Sequence, residues 1–205
     1  EKFGILISMK QKSTDYIKKY KICVSGSAAL DPCTPKAKEL AKEVGRQIVK
    51  QGAILLTGAT TGIPYWAAVG ANEANGISIG FSPAGTEKEH VKVYRLPTDM
   101  FDVIVYTGFG YAGRNLLLTR ASDAVITICG RMGTLNEFTV AFEDKKPLGV
   151  LEGSGGTADK IDYLLKGGYR GKKKVIASAY PDVLVREIIK MIKLEKDGNH
   201  KGRKK

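Results

Sequence analysis

Residues 21–58 read KICVSGSAALDPCTPKAKELAKEVGRQIVKQGAILLTG, and this stretch decides the fold. Lys21–Ser25 is a β-prone run that ends in Gly26-Ser27. Thr34 suits a helix N-cap and Pro35 the first helical position. Leu40, Ala41, Val44, Ile48 and Val49 then recur at helical spacing until Gly52 stops the helix. Ala53–Thr57 is a second apolar run, so the unit is strand, helix, strand.

The same alternation continues outward. The loop Gly58-Ala-Thr-Thr-Gly62 leads into a predicted helix over Pro64–Ala74 and a strand over Ile77–Phe81. Pro83, Gly85 and Pro97 mark Ser82–Met100 as loop, with one short extended piece near Val91–Tyr94. Strands are then expected at Asp102–Tyr106, Ala124–Ile128, Leu148–Leu151 and Lys174–Ala177. Helices are expected at Arg114–Ala121, Thr134–Glu143, Thr157–Lys166 and Asp182–Leu194. Apolar strands alternating with amphipathic helices imply strand-helix-strand crossovers and hence a parallel sheet covered on both faces. The predicted fold is therefore α/β, a Rossmann-like doubly wound parallel sheet of about seven strands in three layers. It occupies residues 21–194 as one domain, with an N-terminal arm over 1–20 and a basic flexible tail over 195–205. In such sheets ligands sit outside the carboxyl ends of the strands, where the strand order reverses.

Composition narrows the function classes. At 43% hydrophobic and 26% charged, with no apolar run near membrane-spanning length, the chain reads as soluble with no membrane partner, and its scattered cysteines point to a cytoplasmic home. Phe3–Met9 is apolar but only seven residues long, and is read as a strand or docking arm. Cys23, Cys33 and Cys129 are far apart and unpaired by motif, which points to neither a disulfide framework nor a metal site. Lys and Arg total 33 against 21 Asp and Glu, a formal charge of +12 that attracts anions. Part of the excess sits in Lys193–Lys205, with six basic and two acidic residues, read as solvated and outside any ligand site. No aromatics interleave with the basic residues, so a nucleic-acid partner is not expected.

Four predicted strand-to-helix loops are rich in glycine and hydroxyl residues: Gly26-Ser27, Gly58–Gly62, Gly108–Gly113 and Gly130–Thr134. Glycine lets backbone N–H groups approach an anion, and a helix N-terminus adds unpaired donors and the positive end of its dipole. Together they predict a phosphate cradle. Gly108-Phe-Gly110-Tyr-Ala-Gly113 matches a dinucleotide fingerprint, but the next strand ends Thr127-Ile128-Cys129-Gly130 without the acid that would hold a ribose. No cofactor is therefore predicted.

Cys129-Gly-Arg-Met-Gly-Thr-Leu-Asn-Glu137, preceded by Gly113-Arg114-Asn115, resembles the PGGxGTxxE signature of the Lonely Guy (LOG) family, formerly labelled lysine decarboxylase-like. The resemblance runs from about Lys21 to Ile192. It is nearest to the branch with Gly-Arg-Asn at this point, which includes the molybdenum-cofactor carrier proteins. Family enzymes cleave the N-glycosidic bond of nucleoside 5'-monophosphates, and the resemblance makes Arg114 and Glu137 the catalytic pair. It also places phosphate on Gly130, Gly133 and Thr134, in a homodimer; the glycine-rich loops and helix entry add Gly26, Ser27, Gly58, Thr61, Gly62, Asn115, Arg131 and Met132 as candidate binding residues, Arg131 either adding a contact or obstructing the cradle. Cys129, Arg131 and Asn115 depart from the signature, and these departures favour a non-catalytic nucleotide or molybdenum-cofactor carrier as the alternative.

A carboxylate beside the ribose suits this chemistry, because N-glycoside cleavage passes through an oxocarbenium-like state. Each assignment has a structural counterpart. Thr134-Leu-Asn-Glu137 is also a T-x-x-E capping box, Arg114 a first-turn surface arginine, and Ser27 and Thr61 turn-shaping hydroxyls. Tyr65 and Trp66 read as packing residues, His90 as a loop residue, His200 as part of the tail, and Cys129 as a buried strand-end thiol.

Overall fold

The structure is a computed structural model that describes residues 19–168 and 174–202, with side chains through residue 196. Residues 1–18, 169–173 and 203–205 lie outside the described residues, and with them the expected N-terminal arm. Seven parallel strands form one sheet in the order β4-β3-β2-β1-β5-β6-β7. These are β1 (Lys21–Gly26), β2 (Ile54–Thr57), β3 (Ser78–Ser82), β4 (Val103–Tyr106), β5 (Ala124–Ile128), β6 (Leu148–Leu151) and β7 (Val175–Ser178). The α-helices are α1 (Ala37–Lys50), α2 (Ile63–Glu73), α3 (Glu87–Lys92), α4 (Gly110–Ala121), α5 (Met132–Glu143), α6 (Ile161–Gly167) and α7 (Pro181–Gly202). The predicted doubly wound, three-layer α/β fold is the observed one.

Strand parity divides the core in two. Ile22 and Val24 of β1 join Leu55, Ile126 and Ile128 in the layer packed by α1, α2 and α7. Cys23 of the same strand turns to the other face, with Leu56, Val125, Leu118 of α4 and Phe138 of α5. The strands are apolar on both faces because helices cover both. On the first face α1 and α2 cross at glycines. A Cβ on Gly45 would come within 1.9 Å of the Ala67 carbonyl oxygen, and one on Gly70 within 1.8 Å of the Lys42 carbonyl oxygen. The helices thus meet backbone to backbone.

Three local expectations are corrected. Helix α1 begins at Ala37, and Thr34 does not cap it with its side chain: the Thr34 hydroxyl donates to the Gly153 carbonyl oxygen at 3.0 Å. The stretch expected as loop with an extended piece carries α3. Thr86 caps that helix through a hydrogen bond from Glu89 N–H at 3.1 Å, while the Glu89 carboxylate accepts from Gly85 N–H at 2.8 Å. Helix α7 continues past Leu194 to Gly202.

The chain leaves β1 toward β2 on one side and returns through β5 on the other, so the strand order reverses between β1 and β5. Gly26 pairs with Ile128 at the carboxyl ends of these two strands. The cleft lies at that point.

Candidate functional site

Four connections converge on a cleft of about 420 Å³ at the switch point. Ser25, Gly26, Ser27 and Ala28 come from the end of β1, and Gly58, Thr60 and Pro64 from the turn into α2. Tyr111, Arg114 and Asn115 come from α4, and Arg131, Gly133, Thr134 and Glu137 from the start of α5.

The α5 entrance is shaped by backbone. Cys129 and Gly130 both have positive φ, 53° and 101°, and Arg131 is extended before the helix begins at Met132. A Cβ on Gly130 would fall 2.5 Å from Thr134 Cγ2, whereas one on Gly133 would meet nothing within 4 Å. The first-turn N–H groups therefore stand without intrahelical acceptors at an uncrowded helix end, an arrangement suited to an anion.

Arg114 is 5% exposed. Its Nη1 donates to the Phe81 carbonyl oxygen at 3.4 Å, and its guanidinium carbon lies 5.7 Å from the Tyr111 ring centre. The guanidinium also rests on Gly58: a Cβ there would sit 1.7 Å from Nη1. Arg114 Nε and Ser27 Oγ are buried without a hydrogen-bond partner. Unsatisfied buried donors on a cleft wall are the groups a polar ligand would complete.

Glu137 is 6% exposed and accepts a hydrogen bond from the Ser25 hydroxyl. Burial pushes its carboxyl above the ordinary glutamate range, while the Arg114 charge and the Ser25 bond pull the other way. The capping alternative fails on position. Because α5 starts at Met132, Thr134 lies inside the first turn and Glu137 beyond it, and the N-cap, Arg131, makes no side-chain capping bond.

Of the residues picked out by sequence, Gly26, Ser27, Gly58, Arg114, Asn115, Arg131, Gly133, Thr134 and Glu137 line the cleft. Asn115 also bridges α4 to α5 by donating to Asn136 Oδ1 at 3.1 Å. Four others stand back. Thr61 donates to the Ala28 carbonyl oxygen at 2.9 Å, Gly62 turns the chain at φ 69°, Gly130 shapes the α5 entrance, and Met132 is 75% exposed. Tyr65 donates to Asp99 at 2.9 Å and Trp66 carries the Lys38 ammonium 3.8 Å above its ring, both outside the cleft lining. His90 is not a loop residue but a fully buried part of α3, bonded to Ser82 Oγ at 2.8 Å and the Pro97 carbonyl oxygen at 3.0 Å. Ser25, Thr60 and Tyr111 are the polar lining residues that sequence reasoning missed. For Ser25 a signal existed: it is the polar end of an apolar strand, on the same face as Cys23.

The cysteine reading is overturned. Cys33 and Cys129 form a disulfide, with Cα atoms 5.4 Å apart across 96 positions of sequence. It ties the loop after β1 to the loop after β5, directly behind the α5 entrance. Ser154 reinforces the joint by accepting from Cys129 N–H at 2.8 Å. Cys23 remains a buried free thiol, pushed up by burial.

A sequence profile of the SLOG cluster4 family matches residues 19–185. The chain belongs to that family. This SLOG cluster4 chain is also similar to a molybdenum cofactor binding protein from Rippkaea orientalis, at 28% identity and TM-score 0.68 over 86% of this chain and 99% of the other. The molybdenum cofactor carrier protein of Chlamydomonas reinhardtii is comparably similar, at 28% identity and TM-score 0.67 over 85% and 98% of the two chains. An uncharacterized protein of Archaeoglobus fulgidus is 26% identical over 132 residues, 64% of this chain and 82% of its own. The LOG-like resemblance, with its nearest branch among molybdenum-cofactor carriers, agrees with this assignment. Among the described residues no helix is long and apolar enough to cross a membrane.

Proposed function

We propose that this SLOG protein is a nucleoside 5'-monophosphate phosphoribohydrolase. The observation that carries the reading is the buried Glu137 carboxylate beside Arg114 in a cleft whose rim is an open helix N-terminus. The phosphate would lie against the first-turn N–H groups of α5, which places the ribose over Glu137. The C1'–N bond breaks as the electron pair leaves with the base. Glu137 stabilises the positive charge that grows on C1' and takes a proton from the attacking water, whose oxygen becomes the new C1' hydroxyl. The proton taken from that water passes on from Glu137, through solvent, to the departing base nitrogen, which returns Glu137 to its carboxylate, and Arg114 neutralises anionic charge on the ligand. The products are free base and ribose 5-phosphate.

The second reading is a carrier that binds a nucleotide or a phosphate-bearing pterin cofactor without turnover. It is favoured by the similarity to a molybdenum cofactor binding protein over nearly its whole length, and by Arg131 standing on the cleft where the resemblance expects glycine. Incubation with a panel of nucleoside monophosphates, with free base followed by chromatography, separates the two. Under the hydrolase reading Glu137→Gln binds the monophosphate yet loses base release about a hundredfold or more. Wild type that binds a monophosphate tightly but releases no base establishes the carrier. Either reading carries the expectation of a homodimer, for which the exposed Leu116 and Leu117 of α4 offer an apolar surface; the Cys33–Cys129 disulfide removes the cysteine argument for a cytoplasmic home.

A further inference from the structure

We propose that Ser25 is a positioning residue, which aims the Glu137 carboxylate into the cleft from the end of β1. The inference rests on the hydrolase reading for its consequence, but the contact stands on geometry alone. Ser25 is 1% exposed. Its neighbours Val24 and Gly26 cannot do the same work: Val24 faces the α1 layer, and a Cβ at Gly26 would already collide with Ile63 at 2.3 Å. Strand parity turns Ser25, like Cys23, toward the layer of α4 and α5, under the first turns of α5.

The bond is selective. Ser25 pairs with Thr127 across β1 and β5, so a second hydroxyl starts from the adjacent strand position. Thr127 Oγ1 is nevertheless buried without a partner, and the Ser25 hydroxyl is the hydrogen-bond donor recorded for Glu137 among the described residues. That bond occupies Oε2, and among the described residues no hydrogen bond is made to Oε1. A hydroxyl that donates to a carboxylate favours its ionised form, the form that stabilises a cation and accepts a proton from water. Burial works against this form, so the Ser25 bond and the Arg114 charge are what oppose it. Arg114 supplies charge, whereas Ser25 supplies direction as well.

The test is Ser25→Ala in the full chain, with two readouts: the NMR titration of the Glu137 side-chain carboxyl carbon, and the pH dependence of base release from the nucleoside monophosphate panel. The Glu137 midpoint should rise by about one pH unit, and the acid limb of base release should rise with it. Ser25→Thr, which keeps the hydroxyl, should restore both toward wild type. Ser25→Cys, a near-isostere with a weak donor, should give an intermediate midpoint and carries the test if the alanine variant does not fold. An unchanged Glu137 midpoint in Ser25→Ala, or in Ser25→Cys where that variant carries the test, overturns the proposal. If the midpoint moves but wild type releases no base from any monophosphate, the hydrolase reading falls while Ser25's hold on Glu137 stands.

Discussion

Gly58→Ala asks whether the cleft depends on where the Arg114 guanidinium rests. Gly58 has no positive φ, so its backbone accepts alanine without conformational penalty and the effect is steric. The new Cβ would sit 1.7 Å from Nη1 and 2.8 Å from Cζ, where ordinary contact begins at 3.4 Å. The difference obliges the guanidinium to move by about 1.7 Å, and a 1 Å misplacement of a site group can cost on the order of a hundredfold in rate. The atoms met are the far end of a flexible side chain, so the clash is relieved by moving the guanidinium and costs little stability. Gly58→Ala should therefore weaken adenosine 5'-monophosphate binding in calorimetry about as much as Arg114→Ala does, while leaving the urea midpoint close to wild type. The double variant decides the cause. With the guanidinium gone, the methyl has nothing to displace, so Gly58→Ala/Arg114→Ala should bind no worse than Arg114→Ala and should be as stable. Wild-type affinity in Gly58→Ala, or losses that simply add in the double variant, would refute the argument.

Two further outcomes follow from the site. Reducing the Cys33–Cys129 bond should lower stability by about 4–5 kcal/mol in the chain-entropy account, given its 96-residue span; urea unfolding with and without a phosphine reductant measures it, and Cys33→Ser should match the reduced wild type. Glu137 is a raised-pKa carboxyl, so its contribution is full below the unfolded value of about 4.3 and is lost as pH rises through the folded one. Glu137→Gln should consequently gain stability relative to wild type as pH climbs from about 4 to neutrality, and a flat difference across that range would contradict the burial argument.

Much of this was legible in the chain because burial on both sheet faces leaves strands as plain apolar runs, such as Ala124–Ile128, which appears with its expected limits. Helix starts were harder. Two T-x-x-E stretches have opposite fates: Thr86–Glu89 caps α3 in a segment whose prolines and glycine look like loop, while Thr134–Glu137 lies inside α5 and sends its glutamate to the cleft. The motif is the same, and what differs is where the first hydrogen-bonded turn closes. Arg114 and Glu137 were found through the signature, yet Ser25 was not, since its role depends on strand parity and on a helix more than a hundred residues away. The disulfide was hidden for a similar reason. Cys33 and Cys129 meet only because β1 and β5 are neighbours at the point where strand order reverses.

The glycine crossing of α1 and α2 has a mechanical consequence. Carbonyl oxygens at Lys42 and Ala67 fill the space where side chains would otherwise slide, so neither helix can roll against the other without backbone collision. Gly62, which leads into α2, is itself lodged against the Ser27 and Ala28 carbonyls. One jaw of the cleft is therefore a fixed anvil. The opposite jaw is built differently, from the exposed side chains of Tyr111 and Arg131 at the starts of α4 and α5 rather than from interlocked backbone.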